Sequence, residues 1–240
     1  VKYMGSKNRI AKHILPIMLA EADKNGITRW VEPFVGGANM IDKVPDTFVR
    51  EGYDINRYLI ALLNALANGW NPPEYVSKEQ YAYVRDNKED NNILTGWCGI
   101  NLSYCGTWFG SYAGKVQTKN GGVRDYQEEA IANVKKQADN LKGVSFYHKS
   151  YDELSFENCL IYCDPPYKAT SDYKTGSFNH EQFFQWCRDM RAKGNIVFVS
   201  EYEAPDDFEC VWQMEVSSSL SANGKQGWNK KSIEKLFKLP

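Results

Sequence analysis

Residues 158 to 170 read "NCLIYCDPPYKAT", an apolar run set directly against an acid, two prolines and an aromatic ring. Leu160, Ile161, Tyr162 and Cys163 have the look of a short continuous strand buried on both faces of a parallel sheet. Pro165 and Pro166 have no N–H to donate and a fixed φ, so the ladder stops there, and Pro165 also holds Asp164 out of the α region. In open α/β sheets ligands bind in the crevice beyond the carboxyl ends of the strands, which would put Asp164 and Tyr167 on a binding rim. Turn chemistry alone equally allows a plain strand exit, with an Asp turn former and a Tyr lid.

The chain has 240 residues, enough for one large domain or for a domain carrying a smaller insertion. Hydrophobic content of 42% and aromatic content of 14% exclude a disordered chain. No run approaches the roughly 18 apolar residues of a membrane span, and no signal-peptide pattern opens the sequence. The expectation is a cytoplasmic protein without a membrane partner. The six cysteines form no Cys-x-x-Cys pair and the three histidines are scattered, which argues for reduced thiols and against a metal site. Cys159 and Cys163 read as small apolar filler.

A net charge of −1 says little by itself, but its distribution is uneven. Residues 1 to 20 hold Lys2, Lys7, Arg9 and Lys12 with no acid before Glu21. From Asn91 to Arg124 there is again no acid, and Lys115, Lys119 and Arg124 stand among Trp97, Tyr104, Trp108, Phe109 and Tyr112. Val216 to Ile233 is the third such window, with Lys225, Lys230 and Lys231. Such windows in a neutral protein suggest one basic face.

Ser6 can cap a helix through "KNRIAKHILPIMLAEADKNG", whose apolar positions Ile10, Ile14, Leu15 and Met18 keep helical spacing up to Gly26. A short strand from Arg29 to Glu32 leads into the turn Pro33-Phe34-Val35-Gly36-Gly37, and "TFVREGYDIN" is a second strand ending at Asp54. The order strand, Gly-rich turn, helix, strand ending in an acid is the opening βαβ of a nucleotide-type site. "RYLIALLNALANGW" is a further clear helix. After Pro72 and Pro73 the texture becomes rich in Asn, Gly and aromatics. Residues 66 to 142 therefore read as an inserted subdomain, helical at its ends ("KEQYAYVRDN", "YQEEAIANVKKQADNL"), dividing a domain formed by 1 to 65 and 143 to 240. The strands "VSFYHKSY", "CLIYCDPPY", "NIVFVSEY" and "FECVWQMEV" follow, with the helix "NHEQFFQWCRDMRAKG" between the second and third, and "SIEKLFKL" alternates as a final edge strand.

Three strand ends thus carry distinctive groups. An acid such as Asp54 can accept hydrogen bonds from ribose hydroxyls. The first turn lacks both Gly-x-Gly-x-x-Gly and the Gly-Lys-Ser/Thr phosphate loop, which points to an adenosine without a pyrophosphate; S-adenosylmethionine fits that description.

The blocks "KYMGSK", "EPFVGG", "YDIN" and "CDPPY", in this order, resemble the Dam-type DNA adenine methyltransferases, including those encoded by phages. The closing "SSSLSANGKQGWNKKSIEKLFK" is similar to that family's Ser-rich strand, basic loop and final strand. The resemblance covers nearly the whole chain and is weakest between about 66 and 142. It implies an α/β, Rossmann-like S-adenosylmethionine-dependent methyltransferase sheet with an inserted, largely helical DNA-recognition subdomain. A bacterial or phage-infected host cell is the setting it implies. Tyr3 and Lys7 would contact the methionine part of the cofactor or its surroundings. Phe34 and Gly36 would line its cradle, Asp54 would hold the ribose hydroxyls, Ser150 and Tyr151 would sit near its adenine, and Asp164 would lie where both substrates meet. One departure is Ala38, where many members have glycine.

The chemistry agrees with this assignment. An exocyclic aryl amine is a poor nucleophile until two acceptors draw its N–H groups out of the ring plane. Asp164 supplies a carboxylate, the fixed turn supplies the Pro165 carbonyl, and Tyr167 can stack on the base; preorganised acceptors are worth on the order of 3 kcal/mol each. The reading requires Asp164 to be an unpaired acceptor rather than a salt-bridged acid. Direct transfer needs no metal. A base inside duplex DNA reaches such a pocket only by flipping out. Lys115, Lys119, Arg124 and Tyr112 are the expected DNA contacts in the insertion, with Asn223 and Lys225 in the closing loop. The double-stranded DNA reading has neighbours: methylation of the cytosine 4-amino group or of RNA adenine, and a catalytically silent DNA-binding relative. A single domain of this kind can act as a monomer.

Overall fold

In the computed structural model, residues 1–118, 120–167, 178–217 and 231–240 are described. Four short parallel strands build the centre: β1 (Arg29–Glu32), β2 (Val49–Asp54), then β5 (Val144–His148) and β6 (Leu160–Cys163), the labels β3 and β4 belonging to a separate hairpin, Lys115–Gln117 and Val123–Asp125. With β7 (Ile196–Glu201), β8 (Glu209–Ser217) and β9 (Lys231–Leu239) they form one seven-stranded sheet of order β5-β2-β1-β6-β7-β9-β8. β6 and β7 are parallel, whereas β9 runs antiparallel to both β7 and β8. The chain proceeds from β1 outward through β2 to β5, then returns to the other side of β1 for β6. The topological switch point therefore falls between β1 and β6, where a ligand crevice opens in a Rossmann-like sheet.

The continuous apolar runs are explained by two cores, one on each face. Trp30, Leu160, Tyr162, Phe198 and Leu236 enter one core, and their neighbours Val31, Ile161, Cys163, Val197, Val199 and Phe237 enter the other. Each central strand thus buries both of its faces, which is why no polar alternation is visible in the sequence. Helices α1 (Ala11–Lys24), α2 (Arg57–Ala67) and α5 (Tyr126–Leu141) line the first face through Ile14, Met18, Leu59, Leu63 and Val134. On the other face α6 (His180–Ala192) contributes Phe183, Trp186, Cys187 and Met190.

Local sequence accounts for most of the helix ends. Asn56, Ser77, Asp125 and Asn179 each accept backbone N–H groups at the start of α2, α3 (Lys78–Asp86), α5 and α6. Ser6 caps a 3-10 turn, Lys7–Arg9, rather than the helix that follows, and α1 begins only at Ala11.

Two expectations are corrected here. The connection from β1 to β2 contains no α-helix, only a 3-10 turn at Ile41–Lys43. Gly36, Gly37 and Pro45 interrupt any helical run, and Val35, Ala38, Met40, Ile41 and Val44 cover the sheet in place of a helix. The strand "SIEKLFKL" is also not an edge. β9 lies between β7 and β8, and Leu236, Phe237 and Leu239 are buried on both of its faces, while the mixed, half-exposed β8 forms the edge.

Residues 66 to 142 hold α3, α4 (Asn92–Gly96) running into a π-turn at Trp97–Asn101, the β3–β4 hairpin and α5. The hairpin has no counterpart in the sequence reading, since strands of three residues are too short to carry a period. Tyr81, Val84, Trp97, Ile100 and Leu102 share one core with α1 and α2. α4 approaches α2 closely at Gly96, where a Cβ would overlap the Tyr58 carbonyl oxygen and meet Leu62 Cβ at 3.0 Å. Gly96→Ala should therefore destabilise the protein by about 1–3 kcal/mol, the usual cost of overpacking against backbone. A melting temperature unchanged from wild type would show that the two helices slide apart freely.

Candidate active site

The parallel ladder brings the carboxyl ends of β1, β2, β5 and β6 to one rim. At the end of β2, Asp54 is a clasp. Its Oδ2 accepts the Gly36 N–H at 3.1 Å and its Oδ1 accepts the Asn56 N–H at 2.9 Å. A carboxylate has about four acceptor sites, so a lone pair remains for a ligand beside these backbone donors and that of Ile55. Burial pushes the Asp54 carboxyl up, and these backbone donors pull it back. Gly36 has φ +47°, and a Cβ there would come within 2.9 Å of the Tyr3 ring. Tyr3 thus lies against the glycine turn, and Ala38, at φ +55°, occupies a left-handed position despite its side chain.

Phe34 leaves the same turn toward β5. Its ring lies 5.3 Å from Tyr151, which also packs on Phe178 and Phe183. Ser150 stands at the N-cap of the 3-10 turn Tyr151–Glu153, with Glu153 reaching back to its N–H at 2.8 Å. A largely buried aromatic cluster, a carboxylate with a spare lone pair and a Gly-Gly turn fit an adenosine group.

Asp164 stands next to this cradle, across the switch point, and it is paired. The Lys7 ammonium lies 3.0 Å from its Oδ1, and Lys7 also donates to the Gly5 carbonyl at 3.1 Å. The expected unpaired acceptor is corrected on this point. Burying a carboxylate at the rim without a counterion is costly, and the N-terminal segment supplies the counterion. The same ammonium sits 4.4 Å over the Tyr167 ring and 4.0 Å from Glu234 Oε2. Tyr167 donates its hydroxyl to Glu234 Oε2 at 3.1 Å, and its ring meets Tyr202 edge-on at 4.6 Å. Burial alone would lower Lys7, but Asp164 and Glu234 hold it above its ordinary value. Burial raises the Asp164 carboxyl, with Lys7 opposing.

Among the expected DNA contacts, Lys115 and Arg124 are exposed on the β3–β4 hairpin. Lys115 lies 3.4 Å from Asp125, and Arg124 pairs with Glu129 through two bonds of 2.7 and 2.8 Å while covering the Tyr126 ring. Tyr112 is built into the insertion instead, with its hydroxyl donating to the Val76 carbonyl and accepting from Gln127. Lys119, Asn223 and Lys225 lie outside the described residues. Among the described residues no group of three or more His, Cys, Asp or Glu is placed to hold a metal ion, and no helix is long and apolar enough to cross a membrane.

Of two further carboxyl groups at the rim, Glu234 escaped the sequence reading and Glu32 entered it only as the first residue of the glycine turn, with no role assigned. A signal was present. Counting by twos along each strand, Glu32 shares a face with Trp30, and Glu234 with Leu236, so both acids fall on a buried face. Glu32 is 2% exposed and accepts the Trp30 indole N–H at 2.9 Å. Burial, with Asp42 and Asp164 adding to it, pushes its carboxyl well above the ordinary value of 4.5. The folded protein therefore holds a proton that the unfolded chain releases above the ordinary range, so stability falls as pH rises through that window. Glu32→Gln keeps the acceptor for Trp30 and removes the titration. Its stability should gain on wild type as pH rises above the ordinary carboxyl range, read as a melting-temperature difference that widens with pH. Parallel pH curves for the two proteins would refute this.

A family model described as D12 class N6 adenine-specific DNA methyltransferase matches residues 3–209. Among curated proteins, the chain is 25% identical over 207 residues to the Type II methyltransferase M.MjaIII of Methanocaldococcus jannaschii, covering 74% of this chain and 71% of that one. It is 24% identical over 218 residues to the Type II methyltransferase M.FokI of Planomicrobium okeanokoites, covering 80% of this chain but 32% of the relative. Solved structures to which it is similar include the rRNA methyltransferase AviRa from Streptomyces viridochromogenes, at 9% identity and a TM-score of 0.47 over 99% of this chain and 87% of that one. The match over most of the chain, on a sheet whose rim carries Asp54, the glycine turn and Asp-Pro-Pro-Tyr, makes this protein a member of the D12 class of N6 adenine-specific DNA methyltransferases.

Proposed function

We propose that the turn Asp164-Pro165-Pro166-Tyr167 is where the adenine 6-amino group receives its methyl group, and that the observation carrying this assignment is the place of Asp164 at the switch point beside the β1 glycine turn. S-adenosylmethionine, the methyl donor of the family, supplies a methyl carbon made electrophilic by the adjoining sulfonium. Asp54, Gly36, Phe34 and Tyr151, with Ser150 at the margin, hold the adenosine end, and Tyr3 and Lys7 stand toward its methionine part. The chain's own task is to aim the amine. Asp164 and the Pro165 carbonyl each accept one N–H, which frees the nitrogen lone pair to attack the methyl carbon. The bound donor would take the C–S electron pair back onto its sulfur, and the extra N–H proton leaves through Asp164 or water. Tyr167 stacks on the base. The acceptors stabilise the positive charge that develops on nitrogen.

DNA brings its adenine to this rim by flipping it from the duplex, and residues 66 to 142 act as the target-recognition subdomain. Lys115 and Arg124 are well placed on the hairpin to exchange Asp125 and Glu129 for phosphates. Both pairs are surface pairs of small net value, typically about 0–1 kcal/mol, so the exchange costs little. Lys119, Asn223 and Lys225 belong to the same proposed DNA face by sequence.

Transfer of labelled methyl from S-adenosylmethionine to a random-sequence duplex, followed by nucleoside separation, should place the label in 6-methyladenosine. Asp164→Ala should abolish that transfer and leave the fold intact. Label in a cytosine or only in RNA would redirect the base assignment, and more than a few per cent of activity in the variant would remove Asp164 from the mechanism. Asp54→Ala should weaken S-adenosylmethionine binding by about 1–3 kcal/mol, the range for a charged hydrogen bond. Unchanged affinity by calorimetry would leave Asp54 as a turn clasp alone.

A further inference from the structure

Glu234 reaches the rim from β9, the strand inserted between β7 and β8, and it has no part in the sequence motifs that define the site. One of its oxygens, Oε2, both accepts the Tyr167 hydroxyl at 3.1 Å and faces the Lys7 ammonium at 4.0 Å. The Lys7 and Glu234 side chains are only 9% and 14% exposed. One ammonium therefore stands between two carboxylates, bonded to Asp164 and just out of bonding range of Glu234.

That arrangement is not competent for the proposed chemistry as it stands. Lys7 covers one face of the Tyr167 ring, 4.4 Å from its centre, so a base stacking on that face meets the ammonium. It also neutralises the acceptor that the amine needs, and its charge opposes the positive charge forming on the amine nitrogen. Lys7 has to leave Asp164 as the base enters. An ammonium this buried cannot be left unpaired without a penalty of several kcal/mol. Among the described residues, Glu234 is the other carboxylate within 4.0 Å of the ammonium, which also donates to the Gly5 carbonyl.

We infer that Glu234 is a positioning residue for methyl transfer, orienting the Tyr167 ring through its hydroxyl and providing the second seat to which Lys7 withdraws when the target adenine takes Asp164. This rests on the assignment of Asp164 and Tyr167 given above. The two seats explain why a rim built to receive an amine is occupied by one in the free protein. The ammonium keeps the Asp164 carboxylate charged until a base displaces it, and Glu234 keeps the displaced charge paired.

A double-mutant cycle on single-turnover methyl transfer tests it, with the random-sequence duplex as substrate. Glu234→Gln keeps an oxygen acceptor for Tyr167 and loses the charge that receives Lys7. It should slow transfer about tenfold, within the range of coupling between contacting charged residues, with S-adenosylmethionine affinity unchanged. Glu234→Asp should restore most of the rate. In a Lys7→Met background, which has no ammonium to move, Glu234→Gln should cost nothing further. A Glu234→Gln rate equal to wild type would overturn the inference, as would the same loss with and without Lys7, since that pattern belongs to a strand residue acting on the fold. Asp164→Ala separates the two levels: full activity there removes the underlying site assignment, whereas loss there with an unaffected Glu234→Gln removes only the role of Glu234.

Discussion

The Lys7 ammonium stands 3.0 Å from Asp164 and 4.0 Å from Glu234, and the electrostatics of that corner of the rim turns on this positive charge. Glu32, Asp54 and Asp164 are all pushed toward the protonated form by burial. Such groups stay in place only where donors or a counterion answer them. Asp54 is answered by backbone N–H groups, Glu32 by an indole N–H, and Asp164 by Lys7. The ordering of the N-terminal segment and the electrostatics of the site are consequently one problem.

That segment is held from both sides. Tyr3 lies against Gly36 and Gly37, and the backbone of Lys2 and Tyr3 passes within about 3.2 Å of where a Gly106 side chain would begin. Asn101 accepts the Lys2 N–H at 3.1 Å. Gly106 and Asn101 come from the insertion, so the stretch that delivers Lys7 is clamped between the cofactor-side turn and the part proposed to meet DNA. α5 adds a further tie, since Gln137 donates to the carbonyls of Gly37 and Ala38 at 3.0 Å.

How legible the fold was depends on how local its causes are. The strand Leu160–Cys163 and its arrest at Pro165 follow from side chains and missing donors within a few residues, and both were readable. The helices α2, α5 and α6 announced themselves through spacing and caps. The β1–β2 connection misled because the common βαβ pattern supplies a helix there, whereas the two glycines and Pro45 of this chain do not allow one. β9 misled because its alternation suits an edge as well as an interior strand; only its pairing with both β7 and β8 places it inside.

By itself the sequence determined the parallel core strands, the acid at the end of β2, the Gly36 turn and the stiff exit after Asp164, because each is set by propensity, periodicity or missing N–H groups over a short span. Tertiary structure alone decided which charges meet. Lys7, Asp164 and Glu234 lie far apart in the chain, and their approach depends on the parallel register at the switch point and on the antiparallel insertion of β9. An expectation drawn from Asp164 alone left it unpaired, because a counterion more than a hundred residues away leaves no trace in local pattern. Side-chain electrostatics at the rim is a property of proximity in space, and proximity is what folding adds.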